Sequence, residues 1–461
     1  MNHTFLMDLR LFDAGTNVNT SEGYANAANG TVTAYTEIEG LSDEMKTYYS
    51  DYLLDHAEPK LIHDQFAQKI PIPRGHGKTV QFRKYDPLPK LTETLVEGVT
   101  PNGQSLSMST VEATVHQYGG YVELSDLLLL TAIDNNLLMA TKLLGAQAGR
   151  TLDTITREVL CGGTNVQYGE NAVSARYMLM GGLKEGNHYL TVDCIKRAVR
   201  TLKSQNAEKI DGSYACIVHP DCVYDLTNDL NWKYPYQYAA TKQLYEGEIG
   251  MIEGVRFVES TEAKVFRGAE ILPGVSKIQN GLLSYDESGD ESYANAGEGS
   301  MYRIRVGDGF SGQGFYPHSD LVGKKLCVSY LAEGKCFPIT VCGVLQHPDA
   351  DQYIFIKECL RNKDGSPITL TAEDCIYSPE AGFAGRDVYA TIVLGENAYG
   401  TTEIAGGGLE HIVKQLGSGG TADPLNQRAT VGWKATKAAV RLMEPFMVRI
   451  ETASTFSGSE D

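Results

Sequence analysis

The residues of this chain that could do chemistry do not fall at spacings that build a reaction centre. RGHGKT (Arg74–Thr79) ends like a phosphate-cradling loop, in which backbone N–H groups and a lysine hold a nucleotide's phosphates. That loop needs a glycine at position 72, where the sequence has Ile72, and it must follow a strand and open a helix. Here Pro71 and Pro73 come first and an alternating run follows, so the segment reads as a turn. An activated serine of the hydrolase kind would sit in G-x-S-x-G, which is absent. Gly417-Ser418-Gly419-Gly420 reads as a flexible turn, with His219 and His411 as the histidines it would have to recruit.

Metal chemistry fares no better. The ten histidines include no H-x-x-x-H, and Pro59 lies between His56 and His63. Nine cysteines without a C-x-x-C read as reduced, mostly buried thiols. Five of them (Cys327, Cys336, Cys342, Cys359, Cys375) are irregularly spaced, unlike zinc ligands. Asp349 and Asp351 lack the glycine and distal glutamate of a calcium loop and read as turn carboxylates. The expectation is a protein that is not an enzyme and uses no cofactor or metal.

One concentration of charge remains. Lys69, Arg74, Lys78, Arg83, Lys84 and Lys90 crowd one stretch of a chain whose net charge is −18. Such a stretch serves as solvated protection of a strand edge, or as a dock for an acidic patch on a second copy. The overall acidity argues against tight or sequence-specific DNA binding, which normally uses a basic face.

These basic residues lie on a predicted β-hairpin. KTVQFRKYDPL (Lys78–Leu88) alternates Val80 and Phe82 with Gln81 and Arg83, the pattern of a strand with one apolar face. The tip carries Pro89, Gly98, Pro101 and the turn pair Asn102-Gly103. The return arm, Ser105–Leu124, spaces Leu106, Met108, Val111 and Val115 among small polar residues. A two-stranded ribbon is marginal in water, so this one is expected to lie on another surface, such as the next copy in an assembly. Ser125 or Asp134 can cap the helix that follows. Leu137, Leu144, Ala148, Leu152, Ile155 and Val159 recur at helical steps between Asn136 and Cys161, a rod of about 35–40 Å that Gly162-Gly163 ends.

The 461 residues, 42% apolar and 21% charged, suit a globular protein of about two to four domains. No apolar run is long enough to span a membrane, and MNHTFLMDLRLFDAG does not read as a secretory signal. Residues 1–41 read as an extended arm, and Ser42-Asp43-Glu44 opens a helix expected to run through LIHDQFA to the Pro71/Pro73 break. Beyond the long helix, a helix over Asp193–Gln205, a buried strand YACIVHP, a helix starting near Pro220 and a strand GVRFVEST form an α+β unit. From about Ala263 to Gly385 short strands alternate with Gly, Pro, Asn and Asp clusters, which reads as an inserted β domain with the acidic loop DESGDES as its solvated edge. DVYATIVLGENAYG then returns to the first texture, two long strands close the unit, and 454–461 is a polar tail.

This order of elements resembles the Hong Kong 97-type fold of tailed-phage major capsid proteins, and the residues resemble most the coliphage N-four type. The stretches that carry the resemblance are GKTVQFRKYDPLP (Gly77–Pro89), LVEGVTPNGQSL (Leu95–Leu106), QYGGYVELSDLLLLTAID (Gln117–Asp134) and LGAQAGRTLDTITREVLCGGTNVQY (Leu144–Tyr168). GEIGMIEGVRFVEST (Gly247–Thr261), VYATIVLGENAYG (Val388–Gly400) and LGSGGTADPLNQRATVGWKATKAAVRL (Leu416–Leu442) complete them. They cover the chain apart from the arm and the 263–385 region.

The resemblance implies an α+β fold with an N-arm (1–41), a helix (42–72), an E-loop hairpin (73–124), a spine helix (125–165) and a peripheral and axial core (166–262 and 386–453). It implies a coat subunit that assembles as pentamers and hexamers into an icosahedral shell around double-stranded DNA, without sequence-specific binding. A separate scaffolding protein and a portal would be partners, with assembly in the bacterial host cytoplasm and residence in the virion. Val80, Phe82, Arg83, Lys84, Leu106, Met108, Val111 and Val115 would supply the hairpin's inter-subunit contacts, and Leu144, Leu152, Ile155 and Val159 the packed face of the spine helix. The alternatives are an encapsulin-like compartment that packages enzyme cargo and a surface adhesin acting through the β insert.

Overall fold

The computed structural model describes residues 19–20, 23–24, 62–71, 78–85, 103–106, 108–131, 136–169, 173–182, 187–232, 250–286, 302–308, 313–345, 351–362, 364–402, 409–414, 416, 423 and 425–457, with isolated positions between 88 and 100. The arm and helix expected over 1–61, apart from residues 19–20 and 23–24, most of the hairpin tip, Arg74–Gly77, Asp134, Asp349, nearly all of DESGDES and Gly417–Gly420 lie outside the described residues. The chain forms two compact units: Met1–Thr156 with Tyr399–Leu442, and Arg157–Ala398 with Met443–Asp461.

In the first unit, strand Thr79–Tyr85 pairs antiparallel with Met108–Thr114, placing Val80 opposite Ala113 and Phe82 opposite Val111. The return arm is not one strand. The Val115 N–H donates to the Lys78 carbonyl at 2.8 Å, and His116–Ser125 then pairs along its whole length with Arg428–Lys437. The ten-residue ladder with Arg428–Lys437 is longer than the ribbon's seven-residue pairing, so the chain leaves the ribbon for it. Leu409–Lys414 adds the next strand of that sheet.

The long helix, Asn136–Cys161, lays its apolar stripe on this sheet. Leu144, Ala148 and Leu152, four residues apart, pack with Val431, Trp433 and Ala435, flanked by Tyr118, Val122 and Ile155. The Trp433 indole N–H donates to Gln147 Oε1 at 3.1 Å, which keeps its polar edge satisfied. Ser125 Oγ accepts from the Leu128 N–H at 3.2 Å and so caps the short helix Asp126–Thr131, of which Leu128 is buried.

The helix expected over LIHDQFA is instead a turn followed by strand Gln68–Ile70. The side chains of His63 and Asp64 are drawn into buried polar pairs with distant residues, and the strand runs parallel to Tyr399–Thr402, which also pairs with Ala439–Arg441. Tertiary pairing overrides the helical pattern here.

This small sheet is the ribbon's seat. Val80, Phe82 and Ala113 are buried with Ala438, and Ile70, Val111, Val115, Val440 and Leu442 pack around them. The Phe82 ring occupies the space a side chain at position 400 would need: a Cβ on Gly400 would lie 2.2 Å from Phe82 Cε1.

In the second unit, the strand order is Val166–Tyr168, Met447–Thr452, Val388–Leu394, Tyr214–Val218, Val255–Glu259, Met251–Ile252. Three inner strands, Tyr214–Val218, Val388–Leu394 and Met447–Thr452, are buried throughout; the first two are apolar runs, while the third buries Arg449 and Glu451, which pair with each other at 2.9 Å. Helix Val192–Ser204 is capped by Thr191 and buries Ile195, Ala198, Val199 and Leu202 in the same core. Pro220 opens helix Pro220–Asn228, where a missing N–H costs nothing. Arg449 donates to the carbonyls of Cys161 and, at 3.1 Å, Gly163, satisfying orphan groups where the long helix ends.

An eight-stranded sheet, antiparallel at every pairing, occupies residues 277–377 and has its own core of Ile304, Val306, Val328, Ile339, Ile354, Ile356 and their neighbours. Asp351 begins a strand and pairs with Arg305 at 2.7 Å. The closing segment holds three strands, Arg428–Lys437, Ala439–Arg441 and Met447–Thr452, because Ala438 and the Glu444–Phe446 turn interrupt it. The first residues of the polar tail are tied down: Ser454 and Ser457 are buried, and Ser457 donates to the Asp387 carbonyl at 2.8 Å.

Two predictions come from this packing. Burial pushes the thiols of Cys161 and Cys327 up to about 12 and that of Cys336 to about 11, and raises those of Cys216, Cys222 and Cys375. These groups resist ionisation in the folded state, so their contribution is complete below the ordinary thiol pKa and is lost as pH rises through the raised values. Melting temperature should therefore fall as the pH is raised from 8 toward 11, and a thiol reagent at pH 8 should label exposed Cys359 before any other cysteine.

The second concerns two glycines. Gly400→Ala should cost about 1–3 kcal/mol in chemical denaturation by displacing Phe82. Gly145→Ala, on the long helix with nothing within 4 Å of the added carbon, should stabilise by about 0.5–1 kcal/mol.

Candidate functional site

The seat divides the ribbon into two parts. Toward its base, Val80 and Phe82 are 3% and 1% exposed, so neither is available to a neighbouring molecule. Both were expected at an inter-subunit contact; in the chain by itself the apolar side of the alternating strand faces the chain's own seat, because an apolar surface is within reach. Val111 and Val115 are half-buried against the same cluster.

Toward the tip the ribbon has no such cover. Met108 is 50% exposed and Leu106 73%, and Leu88 and Leu91 are 50% and 78% exposed. Ser109 and Thr110, successive residues that point to opposite faces, are both exposed. On the open face Gln81 donates to Glu112 Oε1 at 2.8 Å, and Arg83, opposite Thr110, is exposed. Lys69, Lys78 and Lys90 are also exposed, while the side chains of Arg74 and Lys84 lie outside the described residues. The outcome is a ribbon fixed at one end, carrying large apolar groups and cations into solvent at the other. Such a surface suits macromolecular contact.

Of the helix residues, Leu144 and Leu152 are buried on the sheet, Ile155 packs beside them, and Val159 is half-buried. Among the described residues, no group of three His, Cys, Asp or Glu side chains could hold a metal ion, and no helix is long and apolar enough to cross a membrane. Thr79 opens a strand, the opposite of what a phosphate loop requires.

Sequence reading missed a buried polar cluster next to the seat. The His63 backbone N–H donates to Asp153 Oδ1 at 2.8 Å, and His63 Nδ1 lies 2.7 Å from Asp153 Oδ2. Lys437 pairs with Asp64, and the Tyr399 hydroxyl donates to the His63 carbonyl at 2.5 Å. Burial lowers the Lys437 pKa against the opposing pull of Asp64, and burial raises that of Tyr399. The local signal was the pair His63-Asp64 inside the mostly apolar run LIHDQFA; their partners lie 90 and 373 residues away.

The model of the phage capsid protein family matches residues 130–297, a segment that takes in the long helix and the strands Tyr214–Val218 and Val255–Glu259. No curated protein matches the sequence. Among solved structures, the chain is similar to the capsid of cyanophage P-SCSP1u at 11% identity and a TM-score of 0.46, over 90% of this chain and 95% of that one. It is similar to the capsid of Ralstonia phage GP4 at 11% identity and a TM-score of 0.42, over 85% and 86%. For the capsid of cyanophage Pam1 the values are 13%, 0.43, 82% and 86%. Neither the cargo compartment nor the adhesin gains support from the family match. Across residues 130–297 the chain is therefore similar to the phage capsid protein family.

Proposed function

We propose that this chain is a phage major capsid protein, a structural coat subunit and not an enzyme, built on the Hong Kong 97-type plan and closing, as pentamers and hexamers, into an icosahedral shell around double-stranded DNA. The ribbon is its E-loop and lies over an adjacent subunit, the helix Asn136–Cys161 is its spine, and the sheet within 263–385 is an insert in the peripheral and axial core. A separate scaffolding protein and a portal take part in assembly in the host cytoplasm, and the finished subunit resides in the virion. Contact with the genome is non-specific, consistent with a net charge of −18.

The observation that carries this reading is the uneven burial of one ribbon. Its base is anchored by Phe82 at 1% exposure, while Leu106 at 73%, Leu91 at 78% and Met108 at 50% have no cover from their own chain. Exposed leucines scattered singly need no explanation, but four large apolar side chains on and beside one ribbon end do. Covering them on a neighbour removes apolar surface from water at about 25 cal/mol per Å². Each contact is weak, and closed symmetry multiplies it around the shell.

Deleting 86–106 and closing the ribbon with a short turn tests the assignment. The expected product is a folded, soluble subunit, with a circular dichroism spectrum and melting temperature close to the parent's, that forms no shells under electron microscopy. Normal shells from the deletion variant would show that the ribbon is not the inter-subunit arm.

A further inference from the structure

The buried cluster beside the ribbon seat has a geometry that stability alone does not explain. His63 and Tyr399 are 0% exposed, Asp153 and Lys437 1%, and Asp64 4%, so two carboxylates, an ammonium and an imidazole are buried next to one another along the chain and across the pairs His63–Asp153 and Asp64–Lys437. Taking such pairs out of water offsets most of their attraction, and apolar residues of equal volume often serve stability as well or better. The cluster also leaves one ring atom unmatched: His63 Nε2 is buried without a hydrogen-bond partner. A buried polar atom in that state costs free energy.

Polar pairs differ from apolar contacts in being directional. Every anchor of this cluster except Asp153 also lies just before an element of the ribbon seat. Tyr399 precedes Gly400, the residue under the Phe82 ring. Lys437 precedes Ala438, a buried member of the seat, whose N–H donates to Thr402 Oγ1 at 2.9 Å. The turn that holds His63 and Asp64 runs into strand Gln68–Ile70, and Asp153 stands on the long helix. Lys69, on that same strand, is exposed and not one of the paired groups.

We infer that His63, Asp64, Asp153 and Lys437 are positioning residues, which set the angle of the ribbon seat against the long helix and so aim the ribbon. The inference rests on the assembly reading above. An apolar replacement would hold the same elements together while letting the seat settle in more than one orientation.

The test uses the full chain as unassembled subunits, so its outcome does not depend on whether shells form. Asp64→Leu combined with Lys437→Met removes both charges at similar volume. Its melting temperature should stay level or rise, while amide exchange at Val80–Phe82 and Val111–Ala113 accelerates at least about tenfold and that of Tyr214–Val218 does not change. The hydrogen-bonding pair Asp64→Asn with Lys437→Gln should return ribbon exchange to the parent rate. Parent-like exchange in the apolar pair, or no rescue by the amide pair, overturns the inference. Should the apolar pair fail to fold, Tyr399→Phe takes its place: faster ribbon exchange at an unchanged melting temperature supports the inference, and parent-like exchange overturns it. Failure of the parent to form shells would instead remove the assembly reading and leave the exchange result standing.

Discussion

A phenylalanine ring fills the space that a side chain at residue 400 would occupy, and the ribbon's direction depends on that fit. Two strands paired over seven residues have little core to share, and without the seat they would be marginal in water. Phe82, Val80 and Ala113 supply the apolar side of the contact; Gly400, Ala438 and Val440 supply the surface. Small residues on the receiving sheet let a large ring approach closely, so the interaction depends on shape as much as on area. Everything beyond Phe82 extends from this clamp.

The clamp explains why the two ends of the ribbon follow different rules. At the base, strand alternation does what it does in any half-buried strand, and the apolar side turns inward. At the tip the same chain exposes Leu106 and Met108, a liability for a protein that stays alone and an asset for a coat subunit. Anchoring one end also lowers the cost of assembly, because an arm already held in its bound direction loses less freedom when it meets a neighbour. The buried charges beside the seat belong to the same economy of motion: directional pairs restrict the seat to one orientation, where apolar packing would tolerate several. Lysine and carboxylate in a core serve stability poorly, and here they stand next to the residues that carry the arm.

Much of the secondary structure was legible because local patterns were strong. The long helix runs from Asn136 to Cys161, where its apolar spacing and the Gly162-Gly163 stop had placed it. The buried strands Tyr214–Val218 and Val388–Leu394 and the short strands of residues 277–377 likewise announced themselves as apolar runs between turn residues. Three features were not legible, for one reason. The turn at His63, the transfer of the return arm to Arg428–Lys437 and the inward role of Val80 and Phe82 all depend on partners far along the chain. Alternation says that a strand has an apolar face; it does not say whether that face meets its own chain or another. At Phe82 the answer lay in a glycine 318 positions later.

On this plan the ribbon's outer part is free in the subunit and buried against a neighbour in the shell. Thiol accessibility of a Leu106→Cys variant, compared between unassembled subunits and assembled particles, tests it most directly, with exposed Cys359 as a reference within the same molecule. Labelling at position 106 should be rapid in the subunit and fall at least about tenfold in the particle. Equal labelling rates in the two states would contradict it.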